Sequence, residues 1–281
     1  MYRLNLSCAD RPGIVASISS LLFSSGCNII ESHQFSDPLT NIFCMRVTFT
    51  ALDNLSDSRE FHTSLNELSK QFEMNLNLAS RLAPKNLLLL ASKEDHCLLE
   101  VLYKIKIGDI NANPVAVVSN HDDLRGIANN HNIPYFKIDH HGKDDLAACK
   151  DILRIADELQ VDLIGLARYM QILHPQICTE YLNKIINIHH SFLPAFKGAE
   201  PYKRAHERGV KMIGATAHFV NEQLDEGPII SQAVEKVDHS KDINRLKNIG
   251  RNIEREVFSR AIKLFCEDRI FVAGDRTIVF E

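Results

Sequence analysis

The sequence predicts an α/β protein in two parts. A small α+β unit of order βαββαβ spans residues 1–82, a linker follows at 83–85, and a doubly wound, mostly parallel α/β domain spans 86–281. Three observations carry this expectation. At 281 residues the chain is long enough for two ordinary domains, each with its own core. The run NLLLLA at 86–91 suits a central strand of a parallel sheet, buried on both faces. From there strand-like and helix-like segments alternate, as βαβ units require.

In the first unit, residues 2–8 read as a strand and Asp10-Arg11-Pro12-Gly13 as a turn. A helix follows over 14–25, with Ile14, Ile18, Leu21 and Leu22 along one face. Pro12 and Gly13 suit its start, and Gly26 suits its end, where positive φ is common. Strands over 28–35 and 43–50 flank a turn at Asp37-Pro38; a helix over 58–72 and a strand over 75–82 complete the pattern.

Ala83-Pro84-Lys85 separates the two patterns. After the strand at 86–91 come a helix over 95–105, a strand over 114–119, a helix over 122–130, a strand over 135–138, a helix over 144–159 and a strand over 163–166. A strand over 184–188 ends before Pro194, Phe196 and Gly198, which forbid a continuing helix and set a turn ahead of a helical piece over 201–208. A strand over 212–220, a polar loop over 221–226 and a strand over 228–237 come next. Ile243, Leu246, Ile249, Ile253, Val257, Ala261 and Leu264 stand at helical spacing along 242–266, whose charges read as a solvated face. Residues 269–272 and 277–280 read as a closing hairpin. In such a sheet, ligands are expected at the carboxyl ends of the strands.

A net charge of -4 gives no footprint for a nucleic-acid backbone, so no nucleic-acid partner is expected. The start carries no apolar stretch behind a basic end, and no apolar run approaches the roughly 20 residues of a membrane span. The expectation is a cytoplasmic protein with no membrane partner. Seven scattered cysteines without C-x-x-C spacing read as reduced thiols. The adjacent pairs His140-His141 and His189-His190 point to opposite faces if extended, so no metal site is expected.

The richest chemistry lies in residues 184–232. On an extended strand Asn187 and His189 share one face, while Ile188 and His190 take the other. Asp225 comes later, in the polar loop before Gly227-Pro228. Attack on an amide-like carbonyl needs a donor for the developing oxyanion, a proton carrier and a carboxylate that orders the nucleophile. Asn, His and Asp supply these in turn. Each alone also fits a purely structural role: Asn187 closing a strand, His189 as a satisfied core histidine, Asp225 capping a turn.

Two further sets of residues decide between these readings. Asn187-Ile188-His189-His190-Ser191-Phe192-Leu193-Pro194 is followed by Gly214, Thr216, His218, Asp225 and Gly227. This resembles the formyltetrahydrofolate-using formyltransferase family, and the runs HHSFLPAFKGAEPY and LARYMQIL are most similar to its deformylase branch. The resemblance implies hydrolysis of 10-formyltetrahydrofolate to tetrahydrofolate and formate, which balances one-carbon folate pools for purine synthesis. It makes Asn187, His189 and Asp225 the catalytic set, with no cofactor beyond the folate substrate. It puts the pterin against the backbone of the segment with Arg168, Met170, Gln171, Ile172 and Leu173, with His218 alongside and Gly198 near the pocket mouth. Transfer of formyl to an amine, or a sensor with little turnover, are the alternatives. The loop Ser92-Lys93-Glu94-Asp95-His96-Cys97 has no glycine to cradle an acceptor's phosphate and carries two acids that would repel it. Lys93 and His96 close the pocket there, or the loop is a solvated helix start with Asp95 as N-cap.

The turn from Asp10 to Val15, with Gly26 and Asn28 after the helix, resembles ACT domains, modules that bind small amino acids at subunit interfaces. The resemblance places a ligand near Asp10, Gly13, Ile14, Val15 and Asn28; a dimerisation module without ligand is the other reading. It also implies a homo-oligomer, with a tetramer of two paired modules as the expectation.

Overall fold

The computed structural model describes residues 1–52, 55, 58–79, 83–141, 145–194 and 201–281. The chain divides into two compact units, one of residues 1–83 with 268–281, the other of residues 84–267.

In the first unit β1 (Tyr2–Ala9), α1 (Ile14–Ser24), β2 (Cys27–Asp37), β3 (Ile42–Ala51), α2 (Arg59–Phe72) and β4 (Asn75–Ala79) follow the expected order. The strands form an antiparallel sheet of order β2-β3-β1-β4. Alternate residues of β1 and β3, among them Leu4, Leu6, Val47 and Phe49, bury against Ile18 and Leu22 of α1 and Phe61 and Leu65 of α2. Gly13 starts α1 at φ 95, a conformation that costs a glycine little. Ser58 caps α2 by accepting from Phe61 N at 3.3 Å.

The second unit holds β5 (Lys85–Ala91), α3 (His96–Lys106), β6 (Ala112–Ser119), α4 (Arg125–Asn130), β7 (Tyr135–Lys137), α5 (Leu146–Glu158), β8 (Leu163–Ala167), α6 (Pro175–Glu180), β9 (Ile185–His189), α7 (Pro201–Arg208), β10 (Met212–Phe219), β11 (Ile229–Lys236) and α8 (Ile243–Cys266). Its seven strands run in the order β11-β10-β9-β8-β5-β6-β7. β7, β6, β5, β8 and β9 are parallel, and β10 and β11 are antiparallel additions at one edge. β5 lies in the middle, and Leu87, Leu88, Leu89 and Leu90 are fully buried, as an apolar run covered on both faces must be. Asp242 caps α8 by accepting from Arg245 N at 2.8 Å. Gly165 on β8 leaves room for Phe258 and Ile262 of α8, whose atoms stand 3.2 and 3.3 Å from where a Cβ would be.

The structure adds one element and changes two sequence expectations. Short α6 has no apolar period to announce it, only Pro175 at its first turn after His174, whose ring nitrogen accepts from Gln176 N at 3.1 Å. The face of α8 read as solvated is partly internal: Glu254 is 1% exposed. The closing hairpin, β12 (Ile270–Ala273) with β13 (Arg276–Val279), follows the second domain in sequence but packs in the first unit. There Phe271, Ala273, Ile278 and Phe280 cover Cys44 of β3, and Arg3 pairs with Asp268 at 2.7 Å.

Candidate active site

The site forms where β8 and β9 end. At Arg168 the backbone turns into the left-handed region, φ 62, which ends β8 and starts the segment 168–173. Ser92, just past β5, receives the Met170 amide on its hydroxyl oxygen at 3.0 Å and fixes that segment's height. Beyond β9, Thr216 of β10 pins the turn: its hydroxyl accepts from Leu193 N at 3.0 Å and donates to the Ser191 carbonyl at 2.9 Å. Leu193-Pro194 is a cis peptide. His218 stands directly across the ladder from Asn187.

Asp225 reaches the same place from the β10–β11 loop, with φ 57. The loop folds back so tightly that a Cβ on Gly227 would lie 1.8 Å from the Phe219 carbonyl oxygen. Only glycine fits there.

The three groups named from sequence converge. Asp225 Oδ2 is 3.2 Å from His189 Nδ1, and its Oδ1 is 3.7 Å from His218 Nε2. Asn187 Nδ2 is 3.3 Å from His218 Nε2. His218 Nδ1 lies 2.7 Å from the Phe219 carbonyl, which can only accept, so the proton sits on Nδ1. In the neutral ring Nε2 then accepts from Asn187, which orients the carboxamide and leaves its second N–H for a ligand. His189 is 6% exposed, and its Nε2 is buried with no hydrogen-bond partner among the described residues. Burial opposes ionisation of Asp225, but the hydrogen bond from His189 outweighs it and holds the carboxyl well below the usual range.

These groups line one cavity of about 290 Å³. Arg168, Met170, Gln171, Ile172, Leu173, His218, Asn187, His189 and Asp225 all line it. Leu173 is buried, whereas Met170 and Ile172 are exposed apolar side chains. Gly198, expected near the mouth, lies outside the described residues. His190, expected on the opposite face from His189, lines the same cavity, because β9 ends at His189 and strand alternation stops there. Asp95 stands at the N-cap of α3 but makes no side-chain cap bond.

In the first unit the turn residues are only partly gathered. Ile14 is 2% exposed with its side chain in the core, so a contact at the turn would use its backbone. Asp10 accepts from the Ser36 hydroxyl near one end of β2, whereas Asn28 pairs with Thr50 near the other end. Gly13 and Val15 stay with Asp10 at the α1 start, and one chain does not bring Asn28 to them.

Burial, with Arg168 and then His189 beside it, pushes His190 down from 6.5 to about 4. Between those two values the unfolded chain binds a proton that the folded chain refuses, so stability falls as pH drops through that window and is intact above it. The loss should reach roughly 3 kcal/mol if the ring is fully refused its proton. Urea midpoints measured from pH 7 to 4 should show this slope, and His190→Gln should flatten it.

Comparison with known proteins places this geometry. The family model for formyl transferase matches residues 85–262, and the model for the ACT domain matches residues 4–78. The chain is 45% identical to a formyltetrahydrofolate deformylase of Bacillus subtilis over 99% of its own length and 93% of the relative's. It superposes on the crystal structure of a formyltetrahydrofolate deformylase from Burkholderia mallei with a TM-score of 0.94, at 40% identity, covering 100% of this chain and 99% of that one. A glycinamide ribonucleotide transformylase from Symbiobacterium toebii matches 70% of this chain and 95% of its own, with a TM-score of 0.66 at 31% identity. The transformylase lacks a counterpart for almost a third of this chain, whereas the deformylases match it nearly end to end, and the chain therefore belongs to the formyltetrahydrofolate deformylase family.

Proposed function

We propose that the chain hydrolyses 10-formyltetrahydrofolate to tetrahydrofolate and formate, with Asn187, His189 and Asp225 as the catalytic set. The observation that supports this most is the contact of His189 Nδ1 with Asp225, at 3.2 Å, on a cavity whose other wall is the segment from Arg168 to Leu173. That wall offers backbone polar groups and apolar side chains to a flat pterin, the composition of a small-molecule site.

In the proposed reaction the ionised Asp225 orders a water and, with His189, takes one of its protons as the oxygen bonds to the formyl carbon. The carbonyl oxygen becomes an oxyanion and accepts from the free N–H of Asn187. Collapse of the intermediate breaks the carbon–nitrogen bond, and His189 Nε2 returns the proton to the departing folate nitrogen. Formate leaves, and its remaining proton goes to solvent. His218 is a positioning residue in this scheme, since it acts through Asn187.

A small amino acid as effector of the ACT domain belongs to the same proposal. Because Asn28 is remote from Asp10 within one chain, its pocket would be completed by a second copy in a homo-oligomer, with a tetramer as the expected assembly. Among the described residues no helix is long and apolar enough to cross a membrane; the proposed location is the cytoplasm. Purified protein given 10-formyltetrahydrofolate and no amine acceptor should release formate and tetrahydrofolate in equal amounts. Substrate consumed only when an amine is added would instead identify a transferase, and tight folate binding without turnover a sensor. Repeating the assay with candidate amino acids tests the effector.

A further inference from the structure

A second cavity of about 290 Å³ adjoins the first, and Arg168, Met170 and His190 line both. Its character is different. Arg168, Lys247 and Arg251 bring three fixed positive charges to it, against two carboxylates, Glu94 and Glu254. Both carboxylates are already engaged. Glu94 is held by Arg251 at 2.6 Å. Glu254 accepts from His96 Nε2 at 2.8 Å and from the Tyr202 hydroxyl, with Arg168 Nε at 3.4 Å. A cation has little to gain there. Although donor atoms of His96, Cys97 and Glu254 lie within 4.8 Å of one another, the guanidinium of Arg168 and the imidazole of His96 already occupy the carboxylate that a metal would need. What is unmet is a cation: among the described residues Lys247 has no hydrogen-bond or ion-pair partner, and Arg251 gives Glu94 only one of its guanidinium nitrogens. Lys247 and Arg251 add exposed cationic heads at the rim. The space suits a small anion.

The proposed reaction makes one. When formate forms, tetrahydrofolate still fills the apolar cavity, so the small product needs a way out that does not pass the pterin. We propose that the charged cavity is a formate site, where the product carboxylate is held by Arg251 and Lys247 before release. This rests on the deformylase reading above. Charge-assisted hydrogen bonds from two cationic side chains make such an anion site selective without a metal.

The test is direct binding of 13C-formate to the intact protein, followed by NMR, with tetrahydrofolate at saturation. Formate should bind while tetrahydrofolate is bound, and the double variant Lys247→Gln/Arg251→Gln should weaken that binding about tenfold. In steady state, formate should inhibit the wild type without competing with 10-formyltetrahydrofolate, and the double variant should need about ten times more formate for half inhibition, with its initial rate nearly unchanged. The single variant Lys247→Gln, at an exposed position, should shift in the same direction if the double variant folds poorly. Formate that is displaced by tetrahydrofolate, that binds the variants as well as the wild type, or that binds neither, would overturn the proposal. An enzyme that releases formate yet gives any of those results leaves the deformylase reading standing, so the two failures are distinguishable.

Discussion

Asp225→Asn is expected to lower turnover by about a thousandfold while leaving the fold intact. The substitution keeps the shape of the side chain and removes its charge. In the native site the carboxylate faces His189 Nδ1 at 3.2 Å and is ionised at neutral pH because that imidazole donates to it. A carboxamide cannot take a proton from water, and its N–H, turned toward His189, would favour the tautomer with its proton on the wrong nitrogen. The loss should appear in kcat for formate release, with the circular dichroism spectrum and urea midpoint close to wild type. Near-normal release would remove Asp225 from the mechanism.

Asn187→Ala is expected to cost about a hundred- to a thousandfold in kcat, the usual scale for an oxyanion donor. One of its N–H groups is committed to His218 at 3.3 Å, so the other is oriented before substrate arrives. An interaction made only as the oxyanion develops should lower kcat and kcat/KM together, with KM little changed. If the effect falls on KM alone, Asn187 is a ground-state binding residue and the oxyanion must be held elsewhere.

The parts legible in the sequence share a physical reason. β5 could be read because a strand buried on both faces must be apolar throughout, and α8 because its core face repeats with the helical period. Asn187 and His189 share a strand, so their proximity was readable locally. Asp225 was not: nothing in its neighbours gives the back-fold of the loop, which depends on Gly227 fitting against the Phe219 carbonyl. It was found through the resemblance, not through a pattern of its own. Glu254 was missed because it sits among the charges of α8, and its partners His96, Arg168 and Tyr202 come from three separate segments. The hairpin after α8 was misplaced because a strand pair does not encode which sheet it covers; Cys44 and Arg3, more than two hundred residues earlier, supply that information.

The central claim is that water, activated between His189 and Asp225, attacks the formyl carbon. Running the reaction in 18O-labelled water and weighing the released formate tests it most directly. The account predicts one labelled oxygen in each formate from the wild type, with no amine present. Formate carrying no label, or substrate consumed only once an amine is supplied, would contradict it.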